Sequence, residues 1–365
     1  MIQTLALKPT DRLLVFAPHP DDESVATGGL LQHALAVGTR VLVVFFTDGD
    51  NNPWAQRASE LRLRIGPVQR AHFGVRRRGE VRAALLQLGL PLGDARFLGF
   101  PDQGITDLLL HGNEVAAAAL VEALQEWQPT VLVAPSLLDL HPDHSALAVM
   151  TAFALPASGV GAGLRTLVRY VVHNPRLRSR RYEGSQVLPL SAAQRQRKRA
   201  AIACHRTQLV LRGSWLFSFA SQDERYYVAE SPSGLAQHPV RGLVLGGGAL
   251  TVRLASGSRP RAFGSRSLCL LGQGPRPVRL VVELPDRGGP AAVRDPRTGR
   301  PVGEAEFIGA RGRGDLVLPA DLVPPDTPLF AKVEHRFGFF DEAGWKAVGA
   351  ASAAAGPEAP TRAAD

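Results

Sequence analysis

Two short segments concentrate the side chains that do chemistry. Ala17-Pro18-His19-Pro20-Asp21-Asp22-Glu23 sets one imidazole among three carboxylates. Asp139-Leu140-His141-Pro142-Asp143-His144 brings two imidazoles and two further carboxylates. A dinucleotide-binding turn in the first position would read Gly-x-Gly-x-x-Gly, so that backbone amides approach pyrophosphate. Here Gly28-Gly29 fall after the next helix has begun, and carboxylates repel phosphate and attract a cation. Together the segments can supply His, Asp and His to one ion. Three protein ligands plus water is the composition of a catalytic zinc site. Mg²⁺ and Ca²⁺ prefer all-oxygen shells, whereas Fe²⁺ also accepts two His and a carboxylate. Either segment alone is common; Asp21-Asp22 would equally serve as an acidic helix start.

Each segment directly follows an apolar run. Residues 12–17, 40–46, 95–98, 130–134 and 167–172 read as strands, and 24–37, 79–89, 113–127, 143–154 and 191–205 as helices. Near-continuous apolar strands mark a parallel sheet covered on both faces. Their alternation with helices predicts a doubly wound α/β fold, a Rossmann-like three-layer sandwich with a mostly parallel sheet. In such folds ligands sit beyond the carboxyl ends of the strands, which marks loops 18–23, 47–53 and 135–144. Loops 50–78 and 155–190 are expected to build an acceptor pocket. After about residue 232, Gly and Pro become frequent. Short runs at 242–245, 249–254, 266–271, 277–283 and 315–318 predict a small antiparallel β domain. The expected organisation is an α/β domain over 1–232, a β-rich accessory domain over 233–348, and a disordered tail over 349–365.

With 365 residues, 45% hydrophobic and 21% charged, the chain is long enough for two domains and too apolar for wholesale disorder. Cys204 and Cys269 are too few for a disulfide framework or a cysteine-based zinc finger. No run of 18 apolar residues predicts a membrane span, and Met1–Thr10 lacks the pattern of a secretory leader, so the expected location is cytoplasmic. The net charge is +9. Residues 165–199 hold ten basic residues and one acid, Glu183, which suits an anionic glycan or peripheral contact with an anionic membrane at the inner face. No recognisable module predicts specific nucleic-acid binding, and nothing in the sequence specifies an oligomer.

Pro18-His19-Pro20-Asp21-Asp22-Glu23 and His141-Pro142-Asp143-His144 resemble the two signature motifs of the LmbE/PIG-L deacetylases. Further likeness lies in Thr47-Asp48-Gly49, in Arg77 to Glu80 with Ala83-Ala84 and Leu88-Gly89, and in Leu98-Gly99-Phe100-Pro101-Asp102. A late segment, Lys198 to Ala201 with His205 and Thr207-Gln208, also matches, with Thr where Ser is usual. The resemblance spans roughly residues 10–230. It implies a zinc-dependent hydrolase that removes the N-acetyl group from an amino sugar, with His19, Asp22 and His144 as ligands, Asp21 as general base and His141 as oxyanion stabiliser. The chemistry agrees: Asp22 is taken by the metal, so Asp21 is free to accept the water's proton. A protonated His141 would donate to the oxyanion, and Asp143 is placed to hold an imidazole. Arg77, Asp48, Asp102 and His205 are candidate substrate contacts, and Trp54 and Trp215 are candidate stacking surfaces or core. Glu23 reads as structural, and His33, His72, His111, His173 and His238 as background. The expected substrate is an N-acetylated glycan or glycolipid of the cell envelope or another anionic glycoconjugate. Within enzymes the alternative is an amidase acting on a non-sugar amide such as a thiol conjugate. Outside them it is a nucleotide- or nucleic-acid-binding α/β protein.

Overall fold

A computed structural model describes residues 5–179, 185–228, 238–255, 266–324, 327–334, 336–337 and 339–348. The expected boundary at 232/233 and the expected tail over 349–365 lie outside these residues. The chain divides into two compact units, Met1–Leu235 and Ala236–Asp365.

In the first unit, seven strands are ordered β3-β2-β1-β4-β5-β7-β6. β1 (Arg12–Ala17), β2 (Arg40–Thr47), β3 (Ala95–Phe100), β4 (Val131–Pro135) and β5 (Thr166–Tyr170) run parallel, while β6 (Ser185–Leu188) and β7 (Glu224–Tyr227) pair antiparallel at one edge. β1 and β4 are buried residue after residue, which is why they read as unbroken apolar runs. The chain winds outward from β1 through β2 to β3, and from β4 to β5 on the other side. The order therefore reverses between β1 and β4, where α/β sheets open a crevice at their carboxyl ends.

Helices α1 (Asp22–Ala36) and α6 (Pro142–Ser158) follow β1 and β4. Between them lie α2 (Pro53–Glu60), α3 (Pro67–Leu88), α4 (Ile105–His111) and α5 (Glu114–Trp127). After β5 come α7 (Pro175–Ser179), α8 (Ala192–Cys204) and α9 (Arg206–Ser218). α3 corrects the sequence reading: it begins twelve residues before the expected Gly79, so much of the segment expected to form a pocket loop over 50–78 is helical.

α1 is gripped from the far edge of the sheet. Gly29 N–H and Leu30 N–H donate to the Glu224 carboxylate at 2.6 and 2.7 Å, and Lys198 Nζ pairs with it at 2.6 Å. A Cβ on Gly29 would come within 2.3 Å of Leu190. This glycine serves close packing against β7 and not phosphate binding.

The second unit is a nine-stranded sheet ordered β18-β15-β10-β11-β12-β13-β14-β9-β8, with antiparallel pairing in each registered pair. Here β8 is Val240–Gly246, β9 Ala249–Ala255, β10 Ser267–Gly272, β11 Val278–Glu283, β12 Arg287–Arg294, β13 Pro301–Ala310, β14 Arg313–Pro319, β15 Leu329–Glu334 and β18 Lys346–Val348. Two-residue strands β16 (Arg336–Phe337) and β17 (Phe340–Asp341) form a separate pair. The end strand β8 also packs against β15 and β18. The alternating inward residues of β9 and β14, Leu250, Val252, Leu254, Leu316 and Leu318, thereby share one core with Phe307 and Val333.

Candidate metal centre

His19, Pro20 and Asp21 span the turn between β1 and α1. Asp21 sits at φ +124°, an uncommon backbone for a residue with a side chain and one that costs energy to hold. Three interactions hold it. Asp21 N–H donates to Glu23 Oε2 at 2.9 Å, and Arg77 donates both to the Pro20 carbonyl and to Asp21 Oδ2, the latter at 3.3 Å. A second guanidinium nitrogen of Arg77 donates to the Gly49 carbonyl at 2.8 Å. Gly49 has positive φ, and a Cβ there would fall 2.0 Å from the Arg77 guanidinium, so only glycine admits this arginine.

The imidazole of His19 is oriented from behind. Its Nε2 lies 3.2 Å from Asp102 Oδ1 and 3.2 Å from Asp143 Oδ2, so the ring proton belongs on Nε2 and Nδ1 faces the opposite way. His144 is arranged likewise, with Nδ1 at 3.4 Å from Asp139 Oδ2. The outward nitrogens of both rings converge on one carboxylate oxygen: Asp22 Oδ2 is 3.5 Å from His19 Nδ1 and 3.3 Å from His144 Nε2. Tetrahedral zinc with bonds of about 2.0–2.1 Å separates its ligand atoms by about 3.3–3.4 Å. These two spacings are in the range a divalent ion would set, and His141 joins His19 and His144 in a group with donor atoms within 4.8 Å of one another.

Electrostatics agree. His144 is fully buried, and neither ring nitrogen makes a well-directed hydrogen bond. Burial disfavours its charged form, yet Asp22 and Asp139 push its pKa up to about 9. Against the cost of burial, His144 holds Asp22 and Asp139 well below the usual carboxylate range. Such a concentration of buried negative charge calls for a cation. Burial pushes Asp21 the other way, up to about 6, against the pull of Arg77.

His141 begins α6, and its Nδ1 accepts from Asp143 N–H at 3.3 Å. Its proton therefore sits on Nε2. Burial, with His19 and His144 nearby, presses its pKa down to about 3. This contact and these neighbours favour a neutral ring that donates through Nε2–H, where the sequence reading expected a protonated one.

The other expected residues have definite partners. Asp143 lies behind His19 and also accepts from Gln103 N–H and Ile105 N–H, at 2.7 and 3.1 Å. Asp102 accepts from Asn51 N–H at 2.9 Å on its other oxygen. Asp48 forms a two-pronged pair with Arg78 at 2.7 and 2.6 Å. His205 is buried with Nε2 2.9 Å from Glu23 Oε1. In the structure Asp48, Asp102, Arg77 and His205, expected as substrate contacts, each have partners within the protein. Glu80 accepts from both the Thr207 N–H and its hydroxyl.

Two residues went unassigned at the level of sequence. Asp139 joins the β4 loop to the end of β5, accepting from His141 N–H at 3.0 Å, Val172 N–H at 2.7 Å and His173 N–H at 3.2 Å. His173 comes together with Asp22 and His144, their donor atoms within 4.8 Å of one another, and stacks on Trp215 at 5.4 Å. Its signal was positional: it follows a third parallel strand at the same sheet edge. Asp139→Asn should lower metal affinity about 10–100-fold, the usual effect of removing a carboxylate that orients a ligating imidazole. Titration with a chelating metal indicator measures this, and an unchanged affinity would remove Asp139 from that role.

Comparison with known proteins finds partial matches. Residues 14–155 match the PIG-L family model, described as GlcNAc-PI de-N-acetylase. Over 151 residues the chain is 34% identical to a 1D-myo-inositol 2-acetamido-2-deoxy-alpha-D-glucopyranoside deacetylase of Streptomyces griseus, covering 37% of this chain and 46% of that protein. The same-named protein of Mycobacterium avium is 35% identical over 153 residues, covering 37% and 48%. The chain spans about half the length of these relatives. A solved conserved protein of Thermus thermophilus aligns with 25% identity and a TM-score of 0.46, over 61% of this chain and 96% of that one.

Proposed function

We propose, from the premise that this chain carries a PIG-L family domain over residues 14–155, that it is a metal-dependent N-deacetylase acting on an N-acetylated amino sugar. The supporting observation is the convergence of His19 Nδ1 and His144 Nε2 on Asp22 Oδ2. These three residues would hold the ion, for which we propose zinc, with Fe²⁺ second. A divalent ion bound there supplies Lewis acidity and a water that ionises near neutral pH.

The chain's own groups account for the rest. Asp21, beside the ligand Asp22 but not shared with it, accepts the water's proton, and Arg77 fixes the direction of its carboxylate. His141 Nε2–H donates to the oxyanion that develops on the amide carbonyl. Asp143 and Asp139 keep the two ligating rings in the tautomers that leave Nδ1 of His19 and Nε2 of His144 for the metal. We propose an anionic glycoconjugate as the acceptor. Arg178 and Arg212 approach the Trp215 ring at 5.8 and 5.0 Å, and Trp215 stacks on His173. A sugar over that wall meets an aromatic face with cations beside it. We also propose that the sheet is the middle of three layers. α1, α3 and α8 pack on one another, and α4 and α5 each pack on α6.

Acetate release from a panel of N-acetylglucosaminyl compounds tests the reading. Chelation should abolish release and added zinc restore it. Release that persists after metal removal, or a protein that takes up no divalent ion, would reject it.

A further inference from the structure

α3 buries one face and leaves the other bare. Phe73, Arg77, Glu80, Val81, Ala84, Leu85 and Leu88 point inward. Val68, Val75, Gly79 and Leu86 recur at spacings of seven, four and seven residues, which places them within about 20° of one line along the helix. Val68 is 61% exposed, Val75 69% and Leu86 59%. From Val68 to Leu86 the line extends about 27 Å along the helix. At its N-terminal end, the turn leaving α2 adds Leu61 and Leu63, 93% and 87% exposed. Scattered exposed leucines are ordinary, but a continuous apolar line on a solvent-facing helix is not.

The exposed charges along this line are arginines; Glu60, at its N-terminal end, is partly buried and held by Gln56. Arg62, Arg64, Arg70, Arg76 and Arg82 are all exposed. Among the described residues, Arg62, Arg64, Arg70 and Arg82 have no carboxylate within ion-pair distance. Glu80, the acid within α3, is turned inward to Thr207. By contrast, the basic segment 165–199 spends much of its charge internally: Arg165 pairs with Asp11, Arg195 with Asp223, and Lys198 with buried Glu224.

We propose that the outer face of α3, with the Leu61–Arg64 turn, is a docking surface for an anionic lipid bilayer. Apolar side chains at the level of the acyl boundary with arginines at the level of the phosphates is the arrangement by which amphipathic helices lie in a membrane interface. A second copy of the chain fits less well. Two-fold pairing of this face would set Arg62, Arg64 and Arg82 against like charges. The surface is independent of the proposed reaction, since its residues are not those of the metal centre.

The test is sedimentation of the full chain with vesicles of phosphatidylcholine alone, or of phosphatidylcholine with phosphatidylglycerol. Wild type should bind the anionic vesicles, and binding should weaken steeply from low to physiological salt. Leu61→Ser/Leu63→Ser should weaken it about tenfold or more. Arg62→Gln/Arg64→Gln should weaken binding to anionic vesicles by a similar factor of about ten. Both pairs are exposed, and circular dichroism confirms that the variants fold. Binding that ignores lipid charge, or that survives both double variants, would overturn the proposal. So would a concentration-dependent dimer that Leu61→Ser/Leu63→Ser dissociates, which would make a second copy the occupant.

Discussion

Asp21→Asn should leave the metal content unchanged and lower acetate release about 10²–10⁴-fold, the usual contribution of a positioned general base. The two effects separate because Asp21 is not part of the three-atom convergence, whereas its neighbour Asp22 is. An amide in that position still accepts from Arg77, so the turn should remain in place. Metal analysis alongside turnover reads both outcomes. Near wild-type release would mean that another group takes the proton. Loss of metal would mean that Asp21 belongs to the ligand set.

His144→Ala should remove most of the bound metal and, with it, essentially all turnover. The proposed centre has three protein donors, and losing one leaves, among the described residues, His141 or His173 within reach of the others. His141 is committed through Nδ1 to the Asp143 N–H. The variant also leaves Asp139 and Asp22, both buried, without the imidazole between them. A metal-free wild type is therefore the right stability reference, since an uncompensated buried carboxylate is itself costly. A stoichiometric metal content in the variant would show that His173, near Asp22 and His144, serves as a donor instead.

The sheet and the two loops of the candidate site were legible in the sequence for a simple reason. Strands buried on both faces must be apolar throughout, and β1 and β4 leave that pattern abruptly at the histidines and aspartates of the candidate site. The first turns of α3 were not legible, because Val68 and Val75 face solvent and give no core-facing stripe. Asp139 and Asp143 flank His141 in the sequence and nothing there tells them apart. The fold assigns Asp139 to His144 and Asp143 to His19. Arg77 and His205 read as candidate substrate contacts because Arg77 could reach an anionic group or pair with Glu80, and His205 could approach the site. Their partners, the Pro20 and Gly49 carbonyls and Glu23, are too distant in the chain for spacing to reveal.

The grip on α1 sets an order of events during synthesis. α1 delivers Asp22 to the centre, yet its amides at Gly29 and Leu30 are held by Glu224, and its Glu23 by His205. Glu80, on the helix that supports Asp21, waits for Thr207. All of these partners lie beyond residue 155, where the match to the family model ends. A ribosome that has delivered the two histidine-bearing loops has therefore not yet delivered what locks them in register. Completion of the candidate site is thus expected late in the life of the nascent chain, after the last strand of the first unit has emerged.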